Sequence, residues 1–205
     1  KTLSKLWNVS RFVSSFDRGD HVNQPLDFWI INEMDSLIEF SRERNEHYDF
    51  HNTAAQLKHF LWETFASHYL ELVKNRAYNE HGLFSKSEQS SALFTLHYCL
   101  DNLLKLLAPI VPFITHRIYN DLHGKDVHAQ RFPIASGSEN FKDFSKEDLM
   151  QLNSAIWKAK KDAGKSLKAD VTEATIPDKF KCIEKDLAAT HSIKKLRYGE
   201  MKITL

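Results

Sequence analysis

The chain has 205 residues, of which 42% are hydrophobic and 27% are charged. Such a composition is typical of a globular protein with a sizeable core, and no stretch approaches the roughly 18 to 20 apolar residues of a membrane span. The net charge of +1 argues against a strongly basic protein but hides an asymmetry. Residues 1–145 carry 15 basic and 18 acidic residues, whereas residues 146–205 carry 13 basic and 9 acidic residues. Positive charge is therefore concentrated at the C-terminal end.

The start of the chain and its cysteines bear on its origin. It begins at Lys1, inside a helical pattern and without the apolar segment of a signal peptide, so we expect a piece of a longer protein. Cys99 and Cys182 have no second cysteine at metal-binding spacing, so neither a disulfide framework nor a cysteine-based zinc site is predicted. The expected location is the reducing cytoplasm.

A first helix is predicted at the N-terminus, and its residues sort onto two faces at 100° per residue. The mainly apolar face carries Leu3, Leu6, Trp7, Ser10, Val13 and Ser14. The polar face carries Lys1, Lys5, Asn8, Arg11, Phe12 and Ser15. A ring beside an amide and several cations suits an unpaired nucleic-acid strand. The alternative is that Phe12 packs on a neighbouring helix and the charges are merely solvated.

Three longer helices are predicted next, because apolar residues recur at spacings of three and four. One begins near Pro25, the second covers about 50–78, and the third covers 91–108, preceded by a capping box of Ser85 and Glu88. None can bury its apolar stripe alone. Together they predict a helical bundle.

Pro109 and Pro112 predict a break in the chain, followed by a short helix that ends at Gly124. The bundle is therefore expected over residues 1–124. Residues 125–144 are interpreted as a linker.

The last 60 residues have a different pattern. Ser145 and Asp148 are predicted to cap a further helix that ends near Gly164. A strand over 171–176, a short helix over 178–189 and a strand over 201–205 are predicted to follow it. The predicted fold class is mainly α, with a helical bundle followed by a small basic α/β subdomain over 145–205.

Motifs of known catalytic chemistry are absent from the sequence. It contains no glycine-rich phosphate loop, no Gly-x-Ser-x-Gly and no His-Glu-x-x-His, so no catalytic residue is predicted. His47 and His51 are four residues apart, but a predicted turn between them would separate them. His116, His123 and His128 are spread over a helix end and a loop. All five are interpreted as solvated or capping side chains, and no metal site is predicted.

Four segments resemble one family in the same order. Residues 5–13 (KLWNVSRFV) resemble the K-L-W-N-x-x-R-F-V segment that opens the anticodon-binding helical domain of valyl-tRNA synthetases, in the class I isoleucine/valine/leucine group. The other matching segments are residues 27–30 (DFWI), the run over 48–71 and residues 106–115 (LLAPIVPFIT). The resemblance covers about residues 3–120, and 160–170 weakly resemble a later helix. Phe28 and His116 depart from the family pattern, which has Arg and Glu there.

The resemblance implies a tRNA-reading module in which the bundle grips the anticodon stem-loop. Phosphate contacts would set the register and contacts to loop bases would give specificity. The residues implied for anticodon binding are Lys5, Asn8, Arg11 and Phe12. Candidate phosphate contacts, for which a solvated face is the alternative, are Lys158, Lys160, Lys161, Lys165, Lys168, Lys194, Lys195 and Arg197.

The family's catalytic signatures, H-I-G-H and K-M-S-K-S, do not occur in this chain, so no cofactor is expected in it. The resemblance implies a longer protein that activates valine with ATP and Mg²⁺ and transfers it to tRNA(Val). The expected partners are tRNA(Val) and an upstream catalytic domain, with no membrane association and no oligomer. Two alternatives stay open: the same module from an isoleucyl- or leucyl-tRNA synthetase, and a non-enzymatic helical protein-interaction module.

Overall fold

The computed structural model describes residues 1–137 and 141–205, so part of the predicted linker over 125–144 lies outside the described residues. The helices before it are α1 (Thr2–Val13), α2 (Pro25–Glu46), α3 (Phe50–His59), α4 (Leu70–Tyr78), α5 (Lys86–Leu107) and α6 (Pro112–His123). A π-helical segment, Phe60–Tyr69, joins α3 to α4 without a break. Within described residues 1–124 there is no strand, as the bundle prediction requires.

The C-terminal part contains both helices and strands. Its regular elements are α7 (Lys146–Asp162), β1 (Glu173–Ile176), α8 (Glu184–His191), β2 (Leu196–Tyr198) and β3 (Lys202–Thr204). Short 3-10 turns lie at Val127–Ala129 and Asp178–Ile183. The mainly α fold class with a small α/β appendage is confirmed.

Several helix ends are set by local hydrogen bonds. Ser85 Oγ accepts from the Glu88 N–H while the Glu88 carboxylate accepts from the Ser85 N–H, so the predicted capping box of α5 is confirmed. Ser145 and Asp148 form the same reciprocal pair at the start of α7. Gly124 ends α6 with φ of 63°, a left-handed conformation that glycine adopts at little cost.

Helix α5 is the centre of the bundle, and α1, α2, α3, α4 and α6 all pack against it. Leu96, Leu100 and Leu103 of α5 are fully buried, as their spacing predicts. They belong to the same continuous core as Ile30 and Met34 of α2. Among the described helices, none combines the length and apolar character needed to cross a bilayer.

The strands of the described C-terminal residues form a three-stranded sheet in the order β2-β1-β3. Ala174 of β1 lies opposite Leu196 of the parallel strand β2 and opposite Ile203 of the antiparallel strand β3. The strands predicted over 171–176 and 201–205 are confirmed in shorter form, whereas β2 was not predicted. The helix predicted over 178–189 begins as a 3-10 turn and continues as α8.

Arg76 of α4 joins the bundle to the C-terminal subdomain. Its Nε donates to Asp186 of α8 at 2.9 Å, and its terminal nitrogens donate to Asp27 of α2 at 2.7 and 2.8 Å. All three side chains are buried. Burial opposes the charge of Arg76, but the carboxylates of Asp27 and Asp186 outweigh it and raise the guanidinium pKa above its ordinary value. Replacing Arg76 would leave two buried carboxylates without a counter-charge.

Asp27 accepts hydrogen bonds from three helical segments at once. Besides the two from Arg76, its carboxylate accepts one from the Tyr69 hydroxyl at 2.7 Å and one from the Ser91 hydroxyl at 2.5 Å. Four donors therefore satisfy a fully buried carboxylate, which burial alone would destabilise. This arrangement ties α2 to the π-helical segment, to α4 and to α5.

Candidate nucleic-acid interface

Helix α1 rests on α5, α6 and the π-helical segment. Its apolar buried residues, Leu6, Val9 and Val13, occupy one arc of the helix. Of the residues sorted onto the mainly apolar face, Leu3 is 49% exposed, Trp7 is 39% exposed and Ser14 is exposed as well. Trp7 lies beside a groove between α1 and α6, which leaves its side chain in contact with solvent.

A groove of about 170 Å³ lies between α1 and α6. Trp7 and Arg11 line it from α1, and Ile118, Asp121 and Leu122 line it from α6. It combines an apolar wall with an indole ring, the Arg11 cation and the Asp121 carboxylate, which pairs with Arg117. The sequence interpretation placed Trp7 on the mainly apolar face of α1 and did not name it as a candidate contact residue. Its position next to Asn8 is the signal that could have identified it.

Asn8 and Arg11 lie on the solvent-facing side of α1 and are exposed, as predicted. Within residues 1–137 and 141–205, neither side chain has a hydrogen-bond or ion-pair partner. Arg18 differs, because its guanidinium is paired with Asp101 at 2.9 Å. The polar groups of Asn8 and Arg11 are therefore available to a ligand.

Lys5 is half-buried, and its ammonium lies 5.2 Å from the centroid of the Trp62 ring. The Trp62 indole in turn donates to Thr2 Oγ1 at 3.3 Å. The Lys5 ammonium thus lies over an aromatic ring in a cation–π contact while the side chain stays partly exposed. Its predicted contact with an anticodon loop stays a prediction.

The Phe12 ring belongs to an aromatic cluster at the end of α1. It meets Phe16 edge-to-face with centroids 5.2 Å apart and Tyr78 with centroids 5.8 Å apart. Phe16 and Tyr78 also contact each other at 5.1 Å. These contacts support the packing interpretation of Phe12. Since the ring is only half-buried, its role in stacking a loop base stays a prediction.

Three of the predicted phosphate contacts already have acidic partners. Lys194 pairs with Asp170 at 2.8 Å, and Arg197 pairs with Glu173 at 2.6 Å. Lys195 also approaches Glu173, at 3.8 Å. All three basic side chains are exposed, but their charges are partly neutralised locally.

Lys160 corrects the prediction, because its side chain is fully buried. Its ammonium donates to the backbone carbonyls of Leu167 at 2.9 Å and His191 at 2.8 Å. Burial lowers the pKa of Lys160 below its ordinary value. An ammonium enclosed in this way cannot reach a phosphate, so Lys160 is a structural residue that joins α7 to the end of α8.

The remaining candidates form a cluster without acidic partners, which we call the α7 lysine patch. Its members are exposed and lie on the last turns of α7 and in the loop that follows: Lys158, Lys161, Lys165 and Lys168. In the part of the chain that the structure describes, none of the four forms an ion pair. They carry four charges within eleven residues and are the strongest phosphate-binding candidates of the subdomain.

Comparison with known proteins decides the family. The profile described as the anticodon-binding domain of tRNA ligase matches residues 27–176, from the first turn of α2 to the end of β1. The chain belongs to this family. The resemblance inferred from the four sequence segments is thereby confirmed. The match also runs through the predicted linker and into the C-terminal subdomain.

Relatives of this tRNA-ligase domain extend the similarity over nearly the whole chain. The valine–tRNA ligase of Aeropyrum pernix is 37% identical over 199 residues, covering 92% of this chain and 24% of the relative. That of Pyrobaculum aerophilum is 34% identical, covering 96% of this chain and 25% of the relative. That of Pyrococcus furiosus is 32% identical, covering 95% of this chain and 24% of the relative. The chain thus spans about a quarter of the length of these relatives.

Proposed function

We propose that the chain binds the anticodon stem-loop of tRNA(Val) through the outer arc of α1, defined as Lys5, Asn8, Arg11 and Phe12. The observation that carries the proposal is that Asn8 and Arg11 are exposed and lack partners in the described chain. Membership of the anticodon-binding family supports a tRNA as the ligand. Similarity to valine–tRNA ligases supports the valine isoacceptor.

The chemistry of the outer arc suits an unpaired loop. The Asn8 amide has both a donor and an acceptor, which is what the edge of a splayed base requires. The Arg11 guanidinium can bind a base or a phosphate. Trp7 on one side and Phe12 on the other offer rings against which an unstacked base can rest. The arc therefore combines the groups that specify a base with a group that holds the backbone.

The α7 lysine patch is proposed as a second contact with the same tRNA. Its four ammonium groups carry no base-reading chemistry, so they would add affinity for phosphates without selecting a sequence. The two proposed contacts then have different roles. The outer arc reads the anticodon loop, and the α7 lysine patch fixes the position of the RNA.

The activity of the whole ligase is also a proposal, because the chain covers only a quarter of its relatives. We propose that a catalytic domain outside this chain binds ATP and Mg²⁺, activates valine and transfers it to the tRNA. This chain would contribute by placing a tRNA with the correct anticodon. The cytoplasm, where ribosomes consume charged tRNA, is the proposed location.

The test is a binding measurement with fluorescent anticodon stem-loops. The valine stem-loop should bind more tightly than stem-loops with isoleucine or leucine anticodons. Asn8→Ala should weaken its binding about tenfold, because losing hydrogen bonds at a desolvated contact costs on the order of 1–3 kcal/mol. Ser4→Ala is the matched control, since Ser4 is exposed on the same helix. It should leave the affinity unchanged.

Three outcomes would contradict the proposal. Tighter binding of an isoleucine or leucine stem-loop would assign the chain to a neighbouring specificity. Equal affinity for every stem-loop would show that the anticodon is not read. Absence of binding to any stem-loop would favour the protein-interaction alternative.

A further inference from the structure

Three side chains capable of ligating a metal come together beside α6, where the following turn packs against it. They are His116 in α6 and Asp126 and His128 in the turn that follows, and one ligand atom from each lies within 4.8 Å of the others. His116 Nδ1 is 3.0 Å from Asp126 Oδ1. The two imidazole rings are nearly parallel, with 9° between their planes and 6.0 Å between their centroids.

The backbone that carries these ligands is held by contacts of its own. Gly124 reverses the chain in a left-handed conformation, which returns the following turn to α6. Asp126 caps that turn by accepting the His128 N–H at 2.9 Å. Val127, between the two ligands, is only 3% exposed and anchors the turn in the core. Only side-chain rotations therefore separate the three groups from a coordinating arrangement.

We propose that His116, Asp126 and His128 form a binding site for a divalent transition-metal ion of the zinc type. Two imidazole nitrogens and one carboxylate oxygen are ligands that Zn²⁺ accepts, with bonds of about 2.0–2.2 Å. Tetrahedral geometry then requires ligand atoms about 3.3–3.5 Å apart. Since the three side chains are exposed, rotation can bring their atoms closer by the required amount, which is at most about 1.5 Å. The fourth position is left for water.

The spacing of these residues explains why the sequence did not reveal the site. His116 and His128 are twelve residues apart, so only the reversal at Gly124 brings them together. The nearer histidine, His123, is directed elsewhere and pairs with Asp101 at 2.7 Å.

The site is also separate from the proposed tRNA contact. Ile118 lines the groove beside α1, and His116 precedes it by two residues, about 200° around the helix. A failure of metal binding would therefore leave the RNA proposal intact, and the reverse holds as well.

The test is titration of the untagged protein with ZnCl₂, followed by calorimetry, and with Co²⁺, followed by its visible absorption. One equivalent should bind, and the Co²⁺ spectrum should show nitrogen and oxygen ligation. His116→Gln and His128→Gln should each weaken binding by at least about tenfold, since even changes beyond the direct ligands cost 10- to 100-fold. His81→Gln, which alters an exposed histidine outside the cluster, is the matched control. It should bind as the unaltered protein does.

Asp126→Asn tests metal binding in a variant that keeps the fold of the turn, because the Asn side-chain oxygen can still accept the His128 N–H. It should retain the circular dichroism spectrum and bind Zn²⁺ more weakly. Lack of saturable binding by the unaltered protein would overturn the proposal. So would equal affinity in the unaltered protein and both glutamine variants, which would place the ion at other histidines.

Discussion

Arg76 and Asp186 form an ion pair of 2.9 Å, although 110 residues separate them in the sequence. The pair links α4 of the bundle to α8 of the C-terminal subdomain in a buried position. Burial raises the pKa of Asp186 to about 6, despite the opposing effect of Arg76. We therefore expect docking of the subdomain to depend on pH in a range where most carboxylates no longer titrate.

Asp186→Asn should remove this pH dependence. The pKa of Asp186 in the folded protein lies above its unfolded value of about 3.9. The protonated Asp186 therefore contributes fully to the free energy of unfolding below about pH 4, and this contribution is lost as the pH rises through 6. Relative to the variant, the unaltered protein should lose unfolding free energy on the order of 2 kcal/mol between pH 4 and pH 7. Urea denaturation at several pH values measures this difference. Asp178→Asn, at an exposed position, is the control. A difference that does not vary with pH would contradict the coupling.

Lys160→Ala should destabilise the protein by about 2–4 kcal/mol, because it leaves a cavity and two carbonyls without their donor. Lys161→Ala, one residue away but exposed, should change the unfolding free energy by less than about 0.5 kcal/mol. Thermal and urea denaturation compare the two directly. Similar stabilities would mean that the Lys160 ammonium reaches solvent after all.

The α7 lysine patch should act on RNA binding through charge alone. Replacing Lys158, Lys161 and Lys165 by Ala should weaken binding of any tRNA and make the logarithmic salt dependence shallower by up to about 3 units. A matched triple variant at Lys194, Lys195 and Arg197 should change the slope less, because acidic neighbours already pair with these residues. The measurement is the affinity of both triple variants and the unaltered protein for tRNA across a salt series. Equal slopes in both variants would remove the distinction between the two sets.

Phe12→Leu separates packing from base stacking. Loss of the edge-to-face contacts should lower stability by about 0.5–1.5 kcal/mol. If the ring also stacks on a loop base, affinity for the valine stem-loop should fall by about 1–3 kcal/mol. Phe16→Leu disturbs the same aromatic cluster and serves as the control. Equal affinity in the two variants would leave Phe12 as a packing residue only.

Elements with local signals were predictable from the sequence. The start of α5 follows from Ser85 and Glu88, which satisfy each other's backbone within four residues, and the end of α6 follows from Gly124. Strand β2 has no such signal. It is three residues long and contains the exposed Arg197. Its strand conformation depends on parallel pairing with β1, which lies 20 or more residues earlier in the chain.

The candidate site was predictable only in part, for the same reason. The exposure of Asn8 and Arg11 follows from helical periodicity, but that of Trp7 depends on how closely α6 approaches. Burial of Lys160 depends on carbonyls 7 and 31 residues further along the chain. Periodicity identifies faces, whereas the partners that cover them are determined by the tertiary structure.

The carboxylate of Asp27 has a consequence for a surface that it does not touch. An Asn side chain in its place would direct N–H groups at Arg76, Tyr69 and Ser91. All three are hydrogen-bond donors to Asp27, so the amide N–H groups would face donors instead of acceptors. Helix α1 takes its orientation from α5 and the π-helical segment, two of the elements that this single anion aligns. We therefore expect a neutral substitution at Asp27 to weaken the proposed RNA contact by shifting the support of α1, with every side chain of the outer arc still in place.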